Sequence, residues 1–76
     1  MSDGAETLDL RGLKCPMPVL RTRKHLRDST SGTRLRVETT DPLAVIDIPH
    51  FCREEGHRLL AADPVDGGHV FTIEKG

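Results

Sequence analysis

The sequence is poor in aromatic residues and in cysteine. Its 76 residues include two Phe and two Cys, with no Trp and no Tyr. A chain of this length is near the lower limit at which one hydrophobic core is stable. We therefore expect a single domain over residues 1–76, with a thin aliphatic core and no large ligand cavity.

Long apolar runs are also missing. The longest aliphatic runs span four residues, too few to cross a bilayer, and no signal peptide pattern opens the chain. We expect a soluble cytoplasmic protein with no membrane partner. In that reducing compartment two cysteines remain free thiols rather than a disulfide.

The chain lacks clustered metal ligands. There is no CxxC pair, and the histidines are scattered at His25, His50, His57 and His69. We therefore predict no metal and treat the histidines as surface residues. A cysteine hydrolase with His57 or His25 as base stays open, but a domain of this size leaves little room for a substrate cleft.

Charge is unevenly distributed along the chain. Residues 1–36 have a net charge of +4 and residues 37–76 a net charge of −5, which gives −1 overall. A basic first half suits docking to an acidic protein surface, whereas a near-neutral total disfavours strong nucleic-acid binding. The candidate docking residues are Arg21, Arg23 and Lys24, together with Asp41.

Hydrophobic periodicity predicts six elements in the order βαβαββ. The strands are expected at 7–10, 33–40, 58–62 and 69–75, with helices at 18–28 and from Asp41-Pro42 to Gly56. In the first helix Val19, Leu20 and Leu26 form the apolar stripe, with Thr22 on the same side. We expect Pro49 to kink or break the second helix, and residues 1–6 to be flexible.

These elements predict an α/β (α+β) two-layer sandwich. A short strand–helix–strand unit implies a right-handed crossover and parallel first strands, while the turn-rich segment 63–68 indicates an antiparallel hairpin. The expected sheet has four strands in mixed orientation, with both helices on one face. The segment after the first strand then lies at the C-terminal edge of the sheet, where such folds place their sites.

That segment contains the one cysteine whose neighbours suggest a chemical role. It lies in Lys14-Cys15-Pro16-Met17-Pro18. Proline suits the first turn of a helix, so a helix begins at Pro16 or, because Met17 precedes a proline, at Pro18. We expect the amides of Met17 and Val19 to remain free near the sulfur.

The position of Cys15 at the start of a helix predicts an activated thiol. The helix dipole stabilises a thiolate there by about 0.3–1 kcal/mol, and Lys14 and Arg11 are close in sequence, so we expect a lowered pKa for Cys15. The alternative is a buried structural cysteine. Cys52 falls on the apolar side of the second helix and is expected to be buried; if it were exposed, a regulatory disulfide would need consideration. One exposed thiol without a resolving partner suggests a carrier that accepts a group and passes it on.

The chain resembles the TusA/SirA family of small sulfur-carrier proteins from Leu8 to Lys75. The resemblance rests on a few short motifs: Cys15-Pro16-Met17-Pro18 after Gly12-Leu13, Arg23-Lys24, Asp41-Pro42, and Asp47-Ile48-Pro49 with Phe51-Cys52.

The resemblance implies a persulfide relay. Cys15 would accept sulfur from a cysteine desulfurase and pass it to a cysteine of an acceptor protein, as in tRNA thiolation, with the sulfur as covalent cargo and no cofactor. The family also serves sulfur oxidation, molybdenum-cofactor assembly and selenium metabolism. Met17 stands where members of the tRNA pathway tend to have an acid, which could change the acceptor. We expect a monomer.

A second hypothesis is a non-catalytic binding module. In that case the basic first helix meets an acidic protein or RNA, and Cys15 is incidental. Carrier activity would be lost in Cys15→Ser, whereas RNA binding would depend on Arg21, Arg23 and Lys24 and fall steeply with salt.

Overall fold

A four-stranded sheet and two helices form two layers in the computed structural model, which describes residues 6–76. The elements are β1 (Glu6–Asp9), α1 (Met17–Arg27), β2 (Arg34–Thr39), α2 (Ala44–Glu55), β3 (Arg58–Val65) and β4 (Gly68–Glu74). This confirms the βαβαββ sandwich. Of the segment expected to be flexible, residues 1–5 lie outside the described residues, and Glu6 belongs to β1. Within residues 6–76 neither helix is both long and apolar enough to cross a membrane.

The strands are ordered β1-β2-β4-β3 in the sheet. Strands β1 and β2 are parallel, with Leu8 opposite Val37, as the crossover argument predicts. Strand β4 runs antiparallel to both β2 and β3. The carboxyl ends of β1 and β2 therefore meet at one edge, and the chain leaves that edge towards α1 and α2.

The β3–β4 hairpin is tighter than the sequence suggested. Strand β3 continues through Pro64 to Val65, which pairs with Gly68, so the connection is only Asp66-Gly67 rather than the whole of 63–68. Proline is tolerated here because β3 is an edge strand, where a missing backbone donor disturbs only one side of the ladder.

The core lies between the helices and one face of the sheet. Its fully buried members include Leu35 and Val37 of β2 and Phe71 and Ile73 of β4. Helix α1 contributes Pro18, Thr22 and Leu26, whereas Leu20, which we placed in the apolar stripe, is 44% exposed. Helix α2 contributes Ala44, Ile48, Phe51 and Cys52.

Helix α2 continues through Pro49, so the predicted break does not occur. Proline removes the bond to the Val45 carbonyl, but the buried side chains of Ile48 and Phe51 on either side of it keep both halves packed on the sheet. Gly56, with φ 78°, ends the helix as predicted. Cys52 is 2% exposed, which confirms the expectation of a buried free thiol.

Candidate thiol site

Cys15 is an exposed free thiol in the turn that connects β1 to α1. Pro16 is the N-cap residue and helix α1 begins at Met17, between the two starts that the prolines allow. The Met17 amide donates to the Lys14 carbonyl at 2.8 Å. Our expectation that this amide stays free near the sulfur is therefore wrong, because the turn that places Cys15 uses it.

Asp41 joins the thiol turn to the beginning of α2. Its Oδ2 accepts a hydrogen bond from the Cys15 amide at 2.7 Å, and its Oδ1 accepts one from the Leu43 amide at 3.2 Å. Helix α2 begins at Ala44 with Leu43 as its N-cap residue, so the start predicted at Asp41-Pro42 is too early. The side chain that we assigned to partner docking thus has an internal role, because one carboxylate holds the starts of both segments.

A groove of about 440 Å³ lies between the two helices beside the thiol. It is larger than the length of the chain led us to expect, and it falls within the size range of small-molecule sites. It is a surface groove rather than a cavity in the aliphatic core. Its lining comprises Cys15, Pro16, Val19, Arg23, Asp47, His50, Phe51, Glu54 and Glu55.

The electrostatic environment of Cys15 is opposite to the one predicted. A hydrogen bond to Asp47 raises the pKa of the thiol above its ordinary value, and desolvation and the negative charges of Asp47 and Asp41 raise it further. The expectation of a lowered pKa is wrong because it considered only α1 and nearby cations. Arg11 pairs with Asp9 at 2.9 Å and lies 3.7 Å from Glu38, so carboxylates offset its charge.

Arg23 is the one predicted docking cation that lines the thiol groove. Its Nε donates to Glu55 Oε2 at 2.9 Å, and its guanidinium lies 5.5 Å from the centroid of the Phe51 ring. These contacts bridge α1 and α2 and leave the side chain partly exposed. Arg21 and Lys24 instead line a separate recess on α1 with Leu8, His25 and Asp28. The basic surface of α1 is therefore largely distinct from the thiol groove.

The sequence reasoning did not place Asp47 or His50 in the groove, nor Glu54 and Glu55. A usable signal existed, because parallel β1 and β2 bring the beginnings of both following helices to one sheet edge. Asp47 precedes Ile48 and borders the apolar stripe of α2, so it lies between the buried face of this helix and its fully exposed face. Among residues 6–76 no cluster of His, Cys, Asp and Glu is arranged to hold a metal ion.

Fold and site together define a small βαβαββ domain that presents one exposed cysteine at the head of its first helix. The chain belongs to the TusA family: the family described as "Sulfurtransferase TusA" matches residues 6–75. The resemblance drawn from the motifs is thereby confirmed.

Individual relatives agree with this assignment. The sulfur carrier protein TusA of Pseudomonas entomophila is 44% identical over 69 residues, which covers 91% of this chain and 86% of that protein. A protein of Neisseria meningitidis serogroup A, named as a candidate sulfur carrier, is 49% identical over 69 residues, which covers 91% of this chain and 90% of that protein. The SirA-like protein of Desulfitobacterium hafniense has the same fold, with a TM-score of 0.79 at 24% identity over 93% of this chain and 97% of that chain.

Proposed function

We propose that this protein is a sulfur carrier that holds sulfur as a persulfide on Cys15. It takes the sulfur from a persulfide donor of the cysteine desulfurase type and transfers it to a cysteine of an acceptor protein. The observation that supports this most directly is the exposed Cys15 thiol at the edge of an open groove, while Cys52, the other cysteine of the chain, is buried. The names of the relatives point the same way.

The transfer needs no external oxidant. The Cys15 sulfur attacks the terminal sulfur of the donor persulfide, the donor's S–S bond breaks, and the donor cysteine leaves as a thiolate. Cys15 then holds the persulfide, and the same exchange with an acceptor thiolate restores the free thiol. The proton of the Cys15 thiol ends on the departing donor thiolate, directly or through solvent.

Asp47 has a defined place in this exchange. It lines the groove with Cys15 and raises the pKa of the thiol, so it is placed to receive the proton as the sulfur attacks. Negative charge on Asp47 and Asp41 also disfavours an anionic persulfide on Cys15.

The relay in which this transfer operates is a separate part of the proposal. Wobble-uridine thiolation of tRNA is the example that the family resemblance supplied, beside sulfur oxidation, molybdenum-cofactor assembly and selenium metabolism. Met17 is half-buried at the first position of α1, two residues after Cys15. A cytoplasmic monomer remains our prediction for the setting of this exchange.

The test is intact-protein mass spectrometry after incubation with a cysteine desulfurase and cysteine. Wild type and Cys52→Ser should each gain one sulfur atom that dithiothreitol removes, and Cys15→Ser should gain none. A chemical polysulfide donor serves as the control for a mismatched desulfurase. If neither donor loads wild type, or if Cys15→Ser is loaded equally well, the proposal is wrong.

A further inference from the structure

Three large apolar side chains are exposed at the beginning of α2, although they do not all face the same side. Leu43 is 51% exposed, Val45 43% and Ile46 66%, while Ala44 between them is buried in the core. Ile46 is the most exposed large hydrophobic residue among those described. The core of this domain does not use these side chains, so packing within the fold does not account for them.

The two carboxylates that contact Cys15 flank this segment. Asp41 binds both the Cys15 amide and the Leu43 amide, and Asp47, which follows Ile46, lines the groove with Cys15. On a helix, residues four apart lie on the same side, so Leu43 faces the same way as Asp47. Ile46 directly precedes Asp47 and lies on the neighbouring side of the helix. Val45, two positions from Leu43 and from Asp47, points to the opposite side.

We propose that Leu43 and Ile46 form a docking surface for the persulfide donor protein. The Cys15 thiolate is the species that attacks a donor persulfide, so a partner that brings cations to Asp41 and Asp47 assists the loading step. This inference rests on the proposed function and adds the surface that brings the donor's persulfide to Cys15. An apolar surface next to the reacting atom is covered only when a partner is seated there.

Charge defines the chemistry of that partner. Asp47 and Glu54 line the groove and Asp41 borders it, while Arg23, the cation among the lining residues, is paired with Glu55. An acidic rim around an apolar patch favours a donor whose cysteine lies in an apolar surface edged by Lys or Arg. Such cations also stabilise the Cys15 thiolate and offset the effect of the two aspartates.

The experiment compares initial rates of Cys15 persulfidation from two sources. One source is the cysteine desulfurases of the organism that makes this protein, each with cysteine and with the carrier below saturation; the other is sodium polysulfide, which needs no docking. Leu43→Ser and Ile46→Ser should lower the desulfurase rate about ten-fold and leave the polysulfide rate unchanged. Val45→Ser, which removes an equally exposed apolar side chain on the other side, should match wild type in both.

A charge pair tests the acidic rim. Ile46→Glu and Ile46→Lys both remove the apolar side chain, but the lysine should slow desulfurase loading further because it faces the donor's cations. An equal or faster rate for Ile46→Lys would overturn the basic edge that we assign to the donor.

The remaining outcomes separate this inference from the proposed function. The docking surface would be overturned if both serine variants were loaded at the wild-type rate, or if their loading rates fell equally with polysulfide. It would also be overturned if polysulfide loaded the wild type and no desulfurase did. Failure of wild type with both sources would instead refute the carrier function. Melting curves of all variants identify any loss of folded protein.

Discussion

Removal of the Asp41 carboxylate should loosen the thiol turn and destabilise the whole domain. Asp41→Ala deletes two hydrogen bonds, at 2.7 Å to the Cys15 amide and at 3.2 Å to the Leu43 amide. A hydrogen bond to a charged acceptor contributes about 1.5–3 kcal/mol. Because Asp41 is half-buried and water can replace part of both bonds, we expect a loss of about 2 kcal/mol.

In a domain of this size about 1 kcal/mol corresponds to 4–8 °C in Tm, so Asp41→Ala should melt about 10 °C below wild type. Asp41→Asn keeps only one acceptor oxygen and cannot serve both amides, so about half of the loss is expected. Hydrogen exchange at the Cys15 and Leu43 amides, followed by NMR, should accelerate in the same order. These amides report the bonds directly.

Asp63→Ala is the matched control, because the Asp63 side chain is exposed and makes no hydrogen bond or ion pair within residues 6–76. It should melt within about 1 °C of wild type, as surface substitutions generally do. A melting temperature for Asp41→Ala within about 2 °C of wild type, or unchanged exchange at the two amides, would refute the view that this carboxylate joins the thiol turn to α2.

Three further predictions follow from side chains in and beneath the groove. Asp47→Asn should move the midpoint of the pH–rate profile for iodoacetamide alkylation of Cys15 to lower pH, because the carboxylate charge that contributes to the raised pKa is removed; a midpoint that stays or rises would contradict this. Burial raises the pKa of Cys52 from 9.0 to about 11, so the unfolded chain loses this proton first and stability should fall by about 2 kcal/mol between about pH 9 and 11. Urea titrations should show this fall in wild type but not in Cys52→Ala. Arg23→Ala should lower the stability by about 1 kcal/mol in urea titrations, because it breaks a partly exposed ion pair with Glu55; an unchanged midpoint would show that the pair contributes nothing.

Local sequence patterns were sufficient to predict the fold. Alternation in β2 and helical spacing of Ala44, Ile48 and Phe51 in α2 depend only on near neighbours along the chain, and the structure buries these residues as expected. The errors came where tertiary packing outweighs a local rule. Of the kink or break expected at Pro49, the break does not occur, and Leu20 is exposed because α1 turns Pro18 and Thr22 towards the sheet instead.

The sequence predicted the thiol of the site but not its electrostatic environment. Cys15 and its prolines are adjacent in sequence, so the thiol and the helix start could be found from the motif. Its electrostatics depend on Asp41 and Asp47, which belong to another segment. Their approach to the sulfur depends on how α2 is rotated against α1, and a helical pattern specifies the buried face but not the neighbour that each flank will meet. A rule that considers one helix dipole therefore gave the wrong direction for the pKa.

The aspartates around Cys15 also bear on oxidative damage. Peroxide attacks the thiolate and not the thiol, and the reaction continues to sulfinic and sulfonic acids that ordinary reductants do not reverse. An exposed cysteine with a lowered pKa would be consumed in this way whenever no partner was present. Because Asp47 and Asp41 raise the pKa of Cys15, they lower the fraction of thiolate, and oxidation by peroxide is slower until a partner supplies the opposing charge.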